Sequence, residues 1–190
     1  MEYYVLNVLG LERKLPVLPA PNGDMIAGFN PVGDMQLLKA AGADLVRQIK
    51  KGGNKCDIIL TTELKGVPIA QEVANLMGVD YVCLRKDKKC YMANPRQIDG
   101  ESITSGRVNY YISEDDEQKL LGKNVVFVDD VFSTGKTLRS IFHYAKRAGF
   151  TVTCSANILK EGEKIIEDKI ETGFIFGDIP NYFCGFVPLQ

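Results

Sequence analysis

Two adjacent acids, Asp129 and Asp130, end the apolar run VVFV and lead into the small-residue loop Ser133-Thr134-Gly135-Lys136-Thr137. From Val125 to Thr137 the whole stretch reads VVFVDDVFSTGKT. Its last letters look like the end of an ATP-binding loop. Such a loop needs a glycine five residues before the glycine of its Gly-Lys-Ser/Thr. Asp130 stands there instead, and its carboxylate would face phosphate oxygens. A plain acidic turn with a helix cap would use the same residue types. A third reading accounts for every position. Successive backbone N–H groups, hydroxyls and a helix N-terminus over 133–137 can hold a phosphate dianion. Two carboxylates at a strand end cannot, but they can accept hydrogen bonds from vicinal sugar hydroxyls. A ribose 5-phosphate presents both halves.

Those residues need a frame that brings a strand end and a helix start together, and the chain reads as one. Asp34 is placed to N-cap a helix with Leu38, Ala41, Leu45 and Ile49 on one face, stopped by Gly52-Gly53. CDIILTT reads as a buried strand, and PIAQEVANLMG as a helix with Pro68 in its first turn and Gly78 past its end. VDYVCL (79–84), RVNYYIS (107–113) and VVFVD (125–129) read as strands. A helix follows with Leu138, Ile141, Phe142, Ala145 and Ala148 on one face, ending at Gly149. TVTCSANIL (151–159) and FIFG (174–177) are further strands, with EKIIEDKIE as a helix between them. Alternating strands and helices imply an α/β fold with a mostly parallel sheet covered on both faces. Ligands bind such sheets at the carboxyl ends of the strands, where Asp129 and Asp130 fall. The first 33 residues, rich in Pro and Gly, read as short strands and turns.

The bulk numbers restrict the alternatives. A chain of 190 residues suits one domain, and its 45% hydrophobic and 25% charged residues are ordinary for a globular protein. A net charge of −1 gives no global pull toward nucleic acid or an anionic membrane. No apolar run approaches the roughly 20 residues needed to span a bilayer. MEYYVLNVLGLERK lacks the basic start and cleavage site of a secretory signal. Five cysteines without a CxxC pair suit reduced thiols in the cytoplasm rather than disulfides or zinc. The single histidine, His143, falls inside a helical pattern and reads as structural.

VVFVDDVFSTGKT resembles the phosphoribosyl pyrophosphate (PRPP) motif of type I phosphoribosyltransferases. The resemblance covers nearly the whole chain and is closest to the purine (xanthine/adenine) branch. It implies a single domain over 1–190, with a mostly parallel twisted sheet flanked by helices. A small hood would come from residues 1–33 and late-chain elements. It assigns the ribose hydroxyls to Asp129 and Asp130, and the 5′-phosphate to Ser133, Thr134, Gly135, Lys136 and Thr137. The family often has a second glycine where Lys136 stands, although a cation beside the phosphate is electrostatically sensible. TTELKGVPIA (61–70) resembles the family's pyrophosphate loop, with Glu63, Leu64, Lys65 and Gly66 at the turn. LRKDKKCYM (84–92) resembles its basic segment, where Arg85, Lys86, Lys88 and Lys89 would face pyrophosphate; a solvated charged turn has the same composition. Residues 92–107 sit where the family keeps a mobile lid, and their polar composition reads as a loop.

For the acceptor, Asn30 in GFNPVGD and Lys160 in ILKEG resemble the residues with which xanthine phosphoribosyltransferases recognise an oxopurine. Asn30 before Pro31 is also a common turn residue, and Lys160 heads a charged segment. Phe132 could stack on the base or pack in the core. The resemblance therefore implies a cytoplasmic homodimeric purine-salvage transferase. It would take PRPP and a purine base, favour an oxopurine such as xanthine, and use Mg²⁺ bound mainly through PRPP rather than through protein side chains. Adenine as acceptor, a PRPP-sensing regulator on the same fold, and another PRPP-dependent enzyme are the alternatives. Such regulators usually carry a DNA-binding helix-turn-helix domain, for which the 33 residues before the first long helix are too short.

Overall fold

The computed structural model describes residues 2–20, 23, 25–102, 106–161 and 179–187. The chain opens with β1 (Tyr3–Val8), β2 (Leu11–Pro19) and β3 (Met25–Ala27), an antiparallel sheet in the order β1-β2-β3. Val8 pairs with Leu11 across a two-residue turn at Leu9-Gly10 in which both φ angles are positive. That geometry matches the twist of a tight hairpin. Asp34 then caps α1 (Met35–Lys51), accepting a hydrogen bond from Leu37 N at 3.1 Å. The same carboxylate takes the Arg13 guanidinium at 2.6 Å, which ties the small sheet to α1 and holds Asp34 below the usual carboxylate range.

The main sheet is built from β4 (Ile58–Thr62), β5 (Tyr81–Leu84), β8 (Asn124–Phe132), β9 (Thr151–Glu161) and β10 (Asn181–Val187). Its order is β10-β9-β8-β4-β5, and every neighbouring pair is parallel. α2 (Gly66–Met77) joins β4 to β5, and α4 (Lys136–Ala148) joins β8 to β9. On one face Leu38, Ala41, Leu45 and Ile49 of α1 and Ile69 and Val73 of α2 bury against Val126 and Val128. On the other, Leu138, Ile141 and Ala145 of α4 bury against Val125 and Phe127. The chain thus leaves the adjacent strands β4 and β8 toward opposite sides. A crevice opens above their carboxyl ends, where open α/β sheets bind ligands.

Residues 92–107, expected as a loop, instead belong largely to an antiparallel hairpin of β6 (Arg96–Ser102) and β7 (Gly106–Ile112). Ile98 and Ile112 face the core, an alternation that the polar composition of the segment conceals. Its base is held by Glu117 of α3 (Glu114–Leu120), which accepts from Arg96 Nε at 2.6 Å and from Tyr144 Oη at 2.6 Å. α3 and β10 were not anticipated; Ser113 caps α3, accepting from Asp116 N. The helix expected over EKIIEDKIE and the strand over FIFG lie outside the described residues. Among the described residues no helix is long and apolar enough to cross a membrane.

Candidate active site

β8 carries both acids to the level where β4 ends, while β9 continues beside them to Glu161. Asp129 lies in register with Asn157 of β9, and its Oδ2 accepts from Thr62 Oγ1 at 3.2 Å while Oδ1 accepts from Asp130 N at 3.0 Å. Burial, and then the negative charge of Asp130, push the Asp129 carboxyl well above the usual carboxylate range. Asp130 is itself buried, with Lys65 Nζ 2.9 Å from its Oδ2. Two close carboxylates, one of them held by an ammonium, form an acceptor-rich floor for donor groups such as hydroxyls.

The chain next turns through Ser133 and Thr134 to Gly135, whose φ of +72° begins α4. Gly135, the N-cap residue, has no side chain to cap this helix start, and helix starts of this kind are where anions bind. Tyr110 of β7 closes one wall. Its hydroxyl engages Thr137 and Thr62, and burial raises its pKa.

The turn after β4 faces this loop across the crevice. Its Glu63–Leu64 peptide is cis. Glu63 Oε2 accepts from Lys86 N at 3.0 Å, and Arg85 Nη1 lies 3.7 Å from Oε1, so the basic segment is joined to the turn. Lys65 Nζ donates to the Phe29 carbonyl at 3.0 Å as well as pairing with Asp130. Gly66 abuts Asp129: a Cβ there would run into Asp129 Oδ1 and come within 2.6 Å of Thr61 Oγ1.

These residues surround one cleft of about 230 Å³. Of the residues singled out by sequence, Asp129, Asp130, Phe132, Ser133 to Thr137, Glu63, Leu64, Lys65 and Lys86 line it. Phe132 lines the cleft and packs edge-on against Phe183 at 5.6 Å between ring centres. Gly66 and Arg85 sit directly behind the lining. Lys89 does not line the cleft; its ammonium lies 3.6 Å from Asp87. Asn30 is exposed, and its Oδ1 accepts from Val32 N at 3.2 Å, the arrangement of a turn residue. Lys160 is 3% exposed, with its ammonium 5.8 Å over the Phe186 ring and no hydrogen-bond partner among the described residues. Burial lowers its pKa. It lies in register with Phe132 but does not itself line the cleft. His143 is on the exposed side of α4, away from the cleft. Sequence reading missed Thr62, Tyr110, Asn157 and Glu161, all of which line the cleft. Tyr110 and Asn157 sit inside apolar strand patterns, and only the sheet register brings them to the site.

Residues 31–181 match the family model for the phosphoribosyl transferase domain. The chain belongs to that family. Among curated phosphoribosyltransferase-family relatives, it is 30% identical over 148 residues to a hypoxanthine/guanine phosphoribosyltransferase of Methanothermococcus okinawensis, covering 76% of this chain and 74% of that one. It is 32% identical over 118 residues to the purine biosynthesis transcriptional activator PurR of Lactococcus lactis, which covers 59% of this chain; the chain spans only 42% of that relative's length. Its fold matches that of the adenine phosphoribosyltransferase of Thermoanaerobacter pseudethanolicus, with a TM-score of 0.65, 20% identity, and 90% of this chain and 95% of that one covered. The type I phosphoribosyltransferase fold, a five-stranded parallel sheet flanked by helices, is therefore the frame of this site.

Proposed function

We propose that this chain transfers the 5-phosphoribosyl group of PRPP to a purine base, an oxopurine such as xanthine, giving a nucleoside monophosphate and pyrophosphate. One observation carries the reading: the acid pair, the uncapped start of α4 and the turn after β4 line a single cleft. Asp129 and Asp130 accept hydrogen bonds from the 2′ and 3′ hydroxyls, and the Ser133–Thr137 loop with Lys136 holds the 5′-phosphate. Backbone N–H groups of the Glu63–Gly66 turn, with Arg85, Lys86 and Lys89, receive the pyrophosphate. The C1′–O bond to pyrophosphate breaks as a purine nitrogen bonds to C1′ and gives up its proton. The protein positions both reactants and stabilises the positive charge that develops on the ribose.

A Mg²⁺ would be held mainly through PRPP oxygens and water rather than through protein side chains, and the hard oxygens of Asp129 and Asp130 nearby suit its charge without having to ligate it. When bound, that ion neutralises charge on the departing pyrophosphate. Phe132 stacks on the base, Lys160 reaches its O6 or N7 by turning from the buried side of β9 toward the cleft when the base binds, and Asn30 contributes from the N-terminal segment. The 92–107 hairpin acts as the lid that excludes water, and residues 1–33 with late-chain elements as the hood. The assembly is a homodimer. Five free thiols suit a reducing compartment such as the cytoplasm.

The likeness to PurR favours a second reading, a PRPP-sensing regulator. One assay separates them: PRPP, Mg²⁺ and a panel of nucleobases, with pyrophosphate as readout. Release with a purine supports the transferase. PRPP binding by calorimetry without release under any base supports the regulator and refutes the transferase.

A further inference from the structure

We infer that Glu161 selects the acceptor: its carboxylate reads the N1–H and 2-amino edge of guanine, making guanine rather than xanthine the favoured oxopurine. The inference rests on the transfer reading above and narrows its substrate.

Lys160 and Glu161 are neighbours at the end of β9, where successive side chains point to opposite faces. Lys160 is the buried one of the two; Glu161 lines the cleft. Glu161 makes no hydrogen bond or ion pair with the other described residues, so its two oxygens are open to a ligand. Its position along the strand suits the base. Asn157, which also lines the cleft, lies in register with Asp129 and so marks the ribose end. Glu161 is four residues further along β9, about 13 Å at the usual strand rise. That puts it beyond the sugar, past the wall that Phe132 forms, where the far edge of a stacked purine would lie.

The chemistry then discriminates. Guanine presents two adjacent donors, N1–H and the 2-amino group, and a carboxylate can accept both at once. Hypoxanthine keeps N1–H and lacks the amino group. Xanthine keeps N1–H but turns its C2 carbonyl oxygen toward the second carboxylate oxygen, and adenine turns the bare N1; each sets acceptor against acceptor. The nearby hood residues Ile26, Ala27 and Phe29 supply no side-chain donor to relieve that mismatch. A site built to pair with such donors rejects analogues that lack them.

The test is kcat/KM for guanine, hypoxanthine, xanthine and adenine at saturating PRPP and Mg²⁺, for wild type and Glu161→Gln. The expected wild-type order is guanine, then hypoxanthine, then xanthine. Glu161→Gln exchanges one oxygen for an NH₂ that can donate to the xanthine carbonyl, so the guanine-to-xanthine ratio should fall at least about tenfold. Purine turnover with xanthine or adenine as the best wild-type base overturns this inference alone, as does a ratio that the substitution leaves unchanged. Absence of product with every purine overturns the transfer reading and this inference with it. The wild-type panel decides the matter even where the variant fails to fold.

Discussion

Gly66→Ala adds one methyl group where the turn after β4 meets the acid pair. The added carbon would run into Asp129 Oδ1, approach Thr61 Oγ1 to 2.6 Å and lie 3.3 Å from Asp129 Cα. Thr61 is fully buried and the Asp129 backbone is fixed in the sheet, so the carboxylate is the part free to swing. Overpacking of this kind costs about 1–3 kcal/mol. Alanine at a helix start offsets about 1 kcal/mol of that through its propensity. The net loss of about 2 kcal/mol or less lowers Tm by no more than about 8 °C for a domain of this size. Function should suffer more. A displaced Asp129 would lose the charged hydrogen bond to a ribose hydroxyl that the proposed transfer gives it, worth about 1.5–3 kcal/mol, or roughly 10- to 150-fold in kcat/KM for PRPP. Steady-state kinetics at varied PRPP and a thermal melt check both halves. Wild-type PRPP kinetics at an unchanged Tm would refute the contact between Gly66 and the ribose acid. A collapse of Tm far beyond that range would refute the claim that the carboxylate yields first.

Asp129→Asn with Asp130→Asn should cost at least about a hundredfold in kcat/KM for PRPP, at about 1.5–3 kcal/mol per charged acceptor; a folded double variant with normal PRPP turnover ends the ribose assignment. The raised pKa of Asp129 gives a sign for pH. The ionised form binds the hydroxyls, so kcat/KM for PRPP falls as acidification protonates it, and Asp130→Asn, by removing the adjacent charge, should move that acid limb to lower pH. Stability runs the other way, because a carboxyl with a folded pKa above its unfolded one destabilises increasingly as pH rises through the folded value; urea unfolding across the same pH range checks it. Lys160→Met removes a buried ammonium without a hydrogen-bond partner among the described residues, so stability should hold or improve while KM for the oxopurine rises about tenfold and KM for PRPP stays put. Unchanged base kinetics would remove Lys160 from the acceptor site.

Period and punctuation carried most of the frame. Asp34, Gly78 and Gly149 cap helices where their types imply, because capping is a local matter of side-chain acceptors and positive φ. Asp129, Asp130 and the loop to Thr137 could be placed together at one cleft for the same reason: they lie within one strand–turn–helix. Asn30 and Lys160 were harder, because the residue type does not say which way a side chain points. Asn30 satisfies its own turn, and Lys160 sits on the buried side of a strand whose next residue faces the cleft. The segment of β6 was read as a loop because Ile98 stands alone among its polar letters, whereas RVNYYIS of β7 read as a strand. Tyr110 and Asn157 could only be found through register.

Lys65 shows how far such long-range placement reaches. By sequence it is one letter of a pyrophosphate turn, valued for its backbone. In the structure its ammonium spans from Asp130, 65 positions later, to the carbonyl of Phe29, 36 positions earlier. Glu63 on the same turn reaches the other way, to Arg85 and Lys86. A four-residue turn is thereby braced against the acid pair, the N-terminal segment and the basic segment together. Each brace is a modest, partly exposed interaction. Their value lies in geometry: they hold a turn on one strand, a loop on its neighbour and the N-terminal segment around the same cleft. None of the three partners is close to the turn in sequence, so no local pattern could have predicted the arrangement.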